Sequence, residues 1–190
     1  MQIRQEKERF TYADYCTWDD GQRWELIDGK AYLMAAPSTM HQRISRRLLR
    51  KFDEHLDGKK CEVFHVAYDV RLNRDKGDDT VVQPDLLVVC DPDKIDDKGC
   101  NGAPDLVIEI LSPSTAKHDM MKKFTKYTEA GVREIWFADY EEQTILAYIK
   151  NDNGYTFDIY RSHDKITVGI LPELTIDMKD IFETEEGEIS

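Results

Sequence analysis

Two short apolar runs dominate the hydrophobic pattern of this chain, and a proline–aspartate pair precedes the apolar residues of each. The run at residues 106–111 is apolar except for Glu109, and three of its residues are β-branched. This length and composition predict a strand buried on both faces rather than a helix. Residues 81–90, which include Pro84 and Asp85, are predicted to form a second buried strand. Each strand then carries a carboxylate, whose burial is costly unless a cation or hydrogen-bond donors meet it.

A first amphipathic helix is predicted over residues 40–56. Its apolar side chains recur at every fourth position: Ile44, Leu48, Phe52 and Leu56. A second stripe of the same helix is basic and consists of Arg43, Arg46, Arg47 and Arg50. Two interpretations of this basic stripe stay open: a solvated helix face, which is the ordinary behaviour of charged positions, and contact with phosphates.

A second helix is predicted over residues 116–130, capped by residues 112–115 and closed by Gly131. At about 100° per residue, three apolar side chains share one face of this helix, and Lys123 lies on the flank of that face. A lysine at the edge of a core-facing stripe can reach an active site. There it would orient an attacking water molecule or neutralise charge that develops on a phosphate.

Shorter elements complete the predicted fold. A hairpin is expected over residues 23–35 with its turn at Asp28-Gly29, and another over residues 144–161. Thr11 is a candidate cap for a short helix over residues 11–18. Strands are expected over residues 61–72 and 132–138, extended structure over 166–176 and a short helix over 178–182. These elements predict an α/β (α+β) fold, with a central mixed sheet flanked by helices and a hairpin towards each end.

Composition bounds the class of protein. A chain of 190 residues, 41% hydrophobic and 34% charged, is expected to form one soluble domain over residues 1–190, with its core at about 11–182. The net charge of −12 argues against sequence-independent binding of nucleic acid, but not against a local basic groove or a bound metal. We expect no signal peptide and no membrane span. Four dispersed cysteines predict free thiols in a reducing cytoplasm.

Asp85 and Glu109 are the candidate catalytic carboxylates, because their strands follow one another closely enough to pair directly. Two adjacent carboxylates repel unless one is protonated or a cation lies between them. An oxygen-only pair suits Mg²⁺ or Mn²⁺, and the reaction that fits is metal-assisted hydrolysis of a phosphodiester. The alternative is structural. Asp85 and Asp105 would then be turn residues after proline, and Glu109 would pair with a buried arginine.

Five segments carry a family resemblance when they are taken in order along the chain. They are Trp24-Glu-Leu-Ile-Asp-Gly-Lys30, Ala36-Pro-Ser-Thr-Met-His-Gln42, Val82-Gln-Pro-Asp-Leu-Leu-Val-Val89, Pro104-Asp-Leu-Val-Ile-Glu-Ile-Leu-Ser-Pro-Ser-Thr115 and Ala130-Gly-Val-Arg-Glu-Ile-Trp136. Together they resemble the Uma-type restriction endonuclease family of the PD-(D/E)XK nuclease superfamily. The resemblance spans residues 11–182 and implies a restriction-endonuclease-like core, a divalent metal and a DNA substrate.

The resemblance also implies roles for individual residues. Asp85 matches the motif aspartate and Glu109 the glutamate of the E-x-K element, but Leu111 stands where the superfamily has lysine. Lys123 matches the helix position from which the family is thought to supply that lysine. Glu25 is a further candidate metal ligand, with a surface hairpin residue as the alternative. His41 could line the site, although a surface histidine at a helix start is the simpler expectation.

Two functional hypotheses follow. In the first, the protein is a Mg²⁺-dependent DNA endonuclease in which Asp85, Glu109 and Glu25 hold the metal and Lys123 assists the water. In the second, it is a nuclease-fold binding or assembly module without catalysis, as the acidic total and Leu111 suggest. A glycosidase-like pair of carboxylates is disfavoured, since a lysine beside the acids suits phosphate better than sugar. Apolar positions in the C-terminal hairpin would fit a homodimer.

Overall fold

The computed structural model describes residues 7–111 and 116–183. Within these ranges the backbone forms four α-helices and fourteen strands. The helices are α1 (Tyr12–Tyr15), α2 (Thr39–Leu56), α3 (Ala116–Ala130) and α4 (Lys179–Phe182). The strands are β1 (Trp24–Ile27), β2 (Lys30–Leu33), β3 (Glu62–His65), β4 (Val70–Arg71), β5 (Val81–Val82), β6 (Leu86–Val89), β7 (Ile95–Asp96), β8 (Gly99–Asn101), β9 (Leu106–Leu111), β10 (Glu134–Asp139), β11 (Thr144–Asn151), β12 (Gly154–Arg161), β13 (Lys165–Thr167) and β14 (Thr175–Asp177).

The strands make two six-stranded mixed sheets and a separate two-stranded hairpin. The first sheet has the order β2-β1-β5-β4-β8-β7 and the second has the order β12-β11-β10-β9-β6-β3, while β13 pairs with β14. In the second sheet β9 and β10 are parallel and the other neighbours are antiparallel. This second sheet is the central mixed sheet expected from the sequence, and the mixed α/β class is confirmed.

Helices cover both faces of the central sheet. On one face Phe52 of α2 lies against Trp136, with ring centroids 5.9 Å apart. On the other face Tyr127 of α3 belongs to a cluster with Val107 and Phe137 that also takes in side chains of the first sheet. Burial on both faces explains why the β9 sequence is almost continuously apolar. No helix in the described ranges is both long and apolar enough to cross a membrane.

Most of the predicted elements are confirmed with small changes at their ends. The β1–β2 turn consists of Asp28 and Gly29 at φ 51° and 75°, the pair of positive φ values that a tight two-residue hairpin turn requires. Thr11 caps α1, and Ser38 caps α2 by accepting a hydrogen bond from the His41 N–H. Gly131, at φ 89°, follows α3. The cap predicted at residues 112–115 lies outside the described residues.

Two predicted strands are wrong in their extent. Residues 61–72 divide into β3 in the second sheet and β4 in the first, and residues 81–90 divide into β5 in the first sheet and β6 in the second. The two segments pass between the sheets side by side, because β3 pairs with β6 and β4 pairs with β5. At the second crossing Pro84 has no N–H to donate to a ladder. The chain therefore leaves the first sheet at Gln83 and enters the second after Asp85.

The expectation of four free thiols is also wrong. Cys61 and Cys90 form a disulfide with an S–S distance of 2.04 Å, whereas Cys16 and Cys100 are free. The pairing of β3 with β6 explains this bond. Glu62 is opposite Val89 in the antiparallel register, so the two cysteines are the next residues to face each other across the strands.

Candidate active site

The two predicted carboxylates lie at one end of adjacent central strands. Strands β6 and β9 are antiparallel with Leu86 opposite Ile108, which places Asp85 one step further, beside Glu109. Asp85 Oδ2 accepts a hydrogen bond of 2.7 Å from the Ile110 N–H. Asp85 is 8% exposed and Glu109 is also 8% exposed. The expected direct pairing of the two strands is thus present, and it fixes Asp85 to the backbone of its neighbour.

Glu109 points to the α3 side of the central sheet. Ile108 and Ile110 belong to the core on the α2 side, whereas Val107 belongs to the core on the α3 side, and side chains alternate along a strand. On that side Tyr127 donates a hydrogen bond of 2.5 Å to Glu109 Oε1. Lys123 Nζ lies 3.0 Å from Glu109 Oε1 and 3.1 Å from Oε2.

Lys123 joins the central sheet to the first sheet. Its ammonium lies 2.7 Å from Glu25 Oε1, and the same oxygen accepts a hydrogen bond of 2.8 Å from the Gln83 N–H. Glu25 is on β1 and is 2% exposed, so the alternative of a surface hairpin residue is wrong. Among the described residues the cation that contacts Glu109 is Lys123, not the buried arginine of the structural alternative. It is the lysine that the helical spacing predicted on the flank of the core-facing stripe.

The charges of this group are strongly interdependent. Burial raises the pKa of Glu109 to about 7, although the ammonium of Lys123 acts in the opposite direction. Burial alone would lower the pKa of Lys123, but the attraction of Glu109 and Glu25 outweighs it, and the pKa of Lys123 is raised. Burial and the Glu109 charge together raise the pKa of the Tyr127 hydroxyl. At neutral pH the lysine is therefore charged, whereas Glu109 is close to its own titration point.

His41 occupies the first turn of α2 and contacts Asp85. Its Nε2 lies 3.1 Å from Asp85 Oδ2, and it is 9% exposed, so the simpler expectation of a surface histidine is wrong. Its Nδ1 is buried and has no hydrogen-bond partner among the described residues. The Asp85 Oδ2 atom is thus held from two sides, by a strand N–H and by the imidazole.

The donor set is suited to a hard cation only in part. Asp85 and Glu109 offer carboxylate oxygens, and Mg²⁺ is commonly held by one or two carboxylates together with water and substrate phosphate. Glu25 and Glu109 both contact the Lys123 ammonium, and the Glu25 Oε1 also accepts a hydrogen bond from the Gln83 N–H. In the described part of the chain no three His, Cys, Asp or Glu side chains are grouped to hold a metal ion. The assignment of Asp85, Glu109 and Glu25 as metal ligands therefore stays a prediction.

Two contributors to the site were missed by sequence reasoning. The helical phase of residues 116–130 predicts Tyr127 on the apolar face, and only its hydroxyl, which donates a hydrogen bond to Glu109, distinguishes it from a core residue. Gln83 lies inside the strand predicted over residues 81–90, but its N–H orients Glu25. A signal for Gln83 existed in Pro84, because a proline inside an apolar run indicates that the ladder is interrupted at that point.

Comparisons with known proteins bear on the family and the fold. The profile of the family Uma2, described as "Putative restriction endonuclease", matches residues 11–179. A protein of Synechocystis sp., "Uncharacterized protein slr1290", is 33% identical over 144 residues, which are 74% of this chain and 74% of that protein. The crystal structure of "a putative nuclease belonging to DUF820" from Anabaena variabilis has a TM-score of 0.75 at 20% identity, covering 91% of this chain and 97% of that one. The last likeness shows a shared fold.

Proposed function

Because the chain belongs to the Uma2 restriction endonuclease family, we propose that it is a divalent-metal-dependent DNA endonuclease that hydrolyses phosphodiester bonds. One observation carries the proposal. The Lys123 ammonium lies 3.0 Å from Glu109, whose strand neighbour is Asp85. Two carboxylates and a lysine are thus brought together although Leu111 occupies the strand position where a lysine was expected. This combination suits a phosphate that gains negative charge during the reaction.

Under this proposal Asp85 and Glu109 would hold Mg²⁺ or Mn²⁺. The metal would supply Lewis-acid activation of the phosphate and of a bound water. Lys123 acts as a charged donor rather than as a general base, because its pKa is raised and it stays protonated at neutral pH. Glu25 is a positioning residue that orients this ammonium, and His41 and the Ile110 N–H orient Asp85.

The competing function is a nuclease fold that binds without cutting. The observation in its favour is that the Lys123 ammonium contacts two carboxylates, an arrangement that also serves as a buried structural ion pair. Under this alternative Asp85→Asn would leave function unchanged, and Mg²⁺ would not raise the melting temperature. Selective binding of metal to the folded state would raise it.

The test uses two aspartates that follow proline. Asp85→Asn retains an oxygen that can accept the Ile110 N–H but loses the charge, while Asp105→Asn is the matched control. Asp105 also accepts a strand N–H, that of Cys90 at 2.8 Å, and it lies outside the Asp85–Glu109 group. We expect wild type and Asp105→Asn to bind Mg²⁺ in calorimetry and to nick supercoiled plasmid, and Asp85→Asn to do neither. Nicking by Asp85→Asn at the wild-type rate would refute the proposal, and a wild type that neither binds Mg²⁺ nor nicks the plasmid would favour the competing function.

A second copy of the chain is also proposed as a partner. Strand β12 is an edge of the central sheet, and its Phe157 and Ile159 side chains are 58% and 49% exposed. An exposed apolar edge strand is the kind of surface that pairs with another strand. Sedimentation of the wild type and of Phe157→Lys tests this homodimer, which should dissociate in the variant. The cytoplasmic location and the single-domain organisation over residues 1–190 stay predictions.

A further inference from the structure

The basic stripe of α2 separates into two groups in the structure. Arg47 donates a hydrogen bond of 2.7 Å to the Ile181 carbonyl, and Arg50 lies 3.7 Å from Glu54. Lys51, next to the stripe, lies 2.6 Å from Asp180, so Arg47 and Lys51 hold α4. Arg43 and Arg46 are exposed, and neither takes part in an ion pair within the described ranges. One part of the stripe therefore has a structural role, and the other part has none inside the molecule.

The segment of α2 that contains Arg43 and Arg46 is basic although the chain is acidic. From Thr39 to Phe52 the helix contains five cationic residues and no acidic one, whereas the whole chain carries a net charge of −12. Local clustering of this kind is what an acidic protein needs in order to attract a polyanion to one surface. A solvated helix face on an acidic protein would more commonly mix both signs.

Arg43 and Arg46 lie towards the end of α2 that contacts the candidate active site. His41, which contacts Asp85, lies two residues before Arg43. The helix rises about 1.5 Å and turns about 100° per residue, so the two arginines lie about 3 and 7.5 Å beyond His41 along the axis but on the opposite, solvent-facing side of the helix. Helical side chains lean towards the N-terminus, which here is the end of α2 next to Asp85. The helix dipole adds partial positive charge at the same end.

We propose that Arg43 and Arg46 bind backbone phosphates of duplex DNA on the side of α2 that faces solvent, near the end of the helix whose His41 contacts Asp85. The inference rests on the proposed nuclease function and adds the surface that holds the substrate. Neighbours at i and i+3 lie on the same face of a helix, so the pair presents two cations to consecutive positions of one DNA strand. Such contacts carry affinity and orientation but no sequence information.

The salt dependence of DNA binding tests the inference directly. Each phosphate contact contributes about −0.9 to the slope of log K against log salt. Fluorescence anisotropy with a labelled duplex and Ca²⁺ in place of Mg²⁺ should give a slope less negative by about 1.8 for Arg43→Gln/Arg46→Gln than for the wild type. The charge-preserving pair Arg43→Lys/Arg46→Lys should keep the wild-type slope.

A matched control removes two charges elsewhere. Lys60 follows the C-terminal end of α2 and Lys150 is near the far end of β11. Both are exposed, and neither makes an ion pair within the described ranges. Lys60→Gln/Lys150→Gln should leave the slope unchanged. If DNA binding is intact and the slope of Arg43→Gln/Arg46→Gln equals that of Lys60→Gln/Lys150→Gln, this inference alone would be overturned. A wild type that does not bind the duplex at all would overturn the nuclease proposal and this inference with it.

Discussion

Lys123→Met should destabilise the fold as well as remove a proposed active-site cation. The ammonium lies 2.7 Å from Glu25 and 3.0 Å from Glu109, and the three side chains are only 11%, 3% and 10% exposed. Breaking a buried pair costs about 3–5 kcal/mol because the remaining charge is left without a partner. For a protein of this size 1 kcal/mol corresponds to about 2–4 °C, so the unfolding midpoint should fall by roughly 6–20 °C.

The loss should also depend on pH. Glu109 has a pKa of about 7, and removal of the lysine raises it further, since the ammonium is the opposite charge that favours ionisation. Below that pKa the carboxyl can take up a proton and relieve part of the penalty, whereas above it two negative charges remain. Urea and thermal unfolding followed by circular dichroism should therefore show a larger difference from the wild type at pH 8 than at pH 6.

Two controls isolate the charge network. Lys122→Met removes the neighbouring lysine, whose Nζ lies 4.8 Å from the centroid of the Tyr32 ring, and should cost only about 0.5–1 kcal/mol. In a Glu25→Gln/Glu109→Gln background, Lys123→Met should cost far less than in the wild type, because replacing a whole buried pair is often neutral. The reasoning is refuted if Lys123→Met costs less than about 1 kcal/mol, or if its cost is the same in both backgrounds.

Three further predictions concern the same region and one turn. Because the folded pKa of Glu109 is raised from 4.5 to about 7, its contribution to the free energy of unfolding should be complete below pH 4.5 and lost as the pH rises to about 7. Metal binding should release a proton in that pH window, which calorimetry in buffers of different ionisation enthalpy would detect. Tyr127→Phe removes a donor to the ionised carboxylate, so the apparent pKa should move up and stability should fall by about 1.5–3 kcal/mol; an unchanged pH profile would contradict the assigned contact. Gly29→Ala should cost more stability than Gly21→Ala in urea titrations. Both positions have positive φ, but of the two only position 29 has a side chain, that of Arg9, where the new Cβ would lie.

The sequence was sufficient for the parts of the site that local patterns encode. A single acid inside an apolar run marks Glu109, because apolar neighbours on both sides imply burial. The helical phase of α3 identifies Lys123 as the lysine on the core side. Both inferences need only the spacing of residues within one element.

The rest of the site depends on contacts between distant elements. Glu25 meets Lys123 because the first sheet packs beside α3, and no spacing along the chain reports that distance. His41 is buried because the first turn of α2 lies over the end of β6, whereas its position at a helix start suggested solvent. The arginine stripe divides into two groups because α4 packs against Arg47. In each case tertiary packing decided what the local pattern left open.

The apolar runs at 61–72 and 81–90 show a different limit. A run of β-branched and apolar residues looks the same whether it stays in one sheet or passes into another, because both environments are buried. Burial is uniform from Val81 to Val89, so hydrophobicity alone contained no sign of the crossing. Only Pro84 did, and a single proline is also compatible with an edge strand.

The crossing of the chain at Gln83–Asp85 has a consequence for the newly made protein. Glu109 and Lys123 meet on the second sheet, whereas Glu25, which orients the Lys123 ammonium, comes from the first sheet. The lysine therefore has both of its carboxylate partners only after both sheets have formed. Under the proposed function, full activity should appear only in the last step of folding, when the two sheets meet.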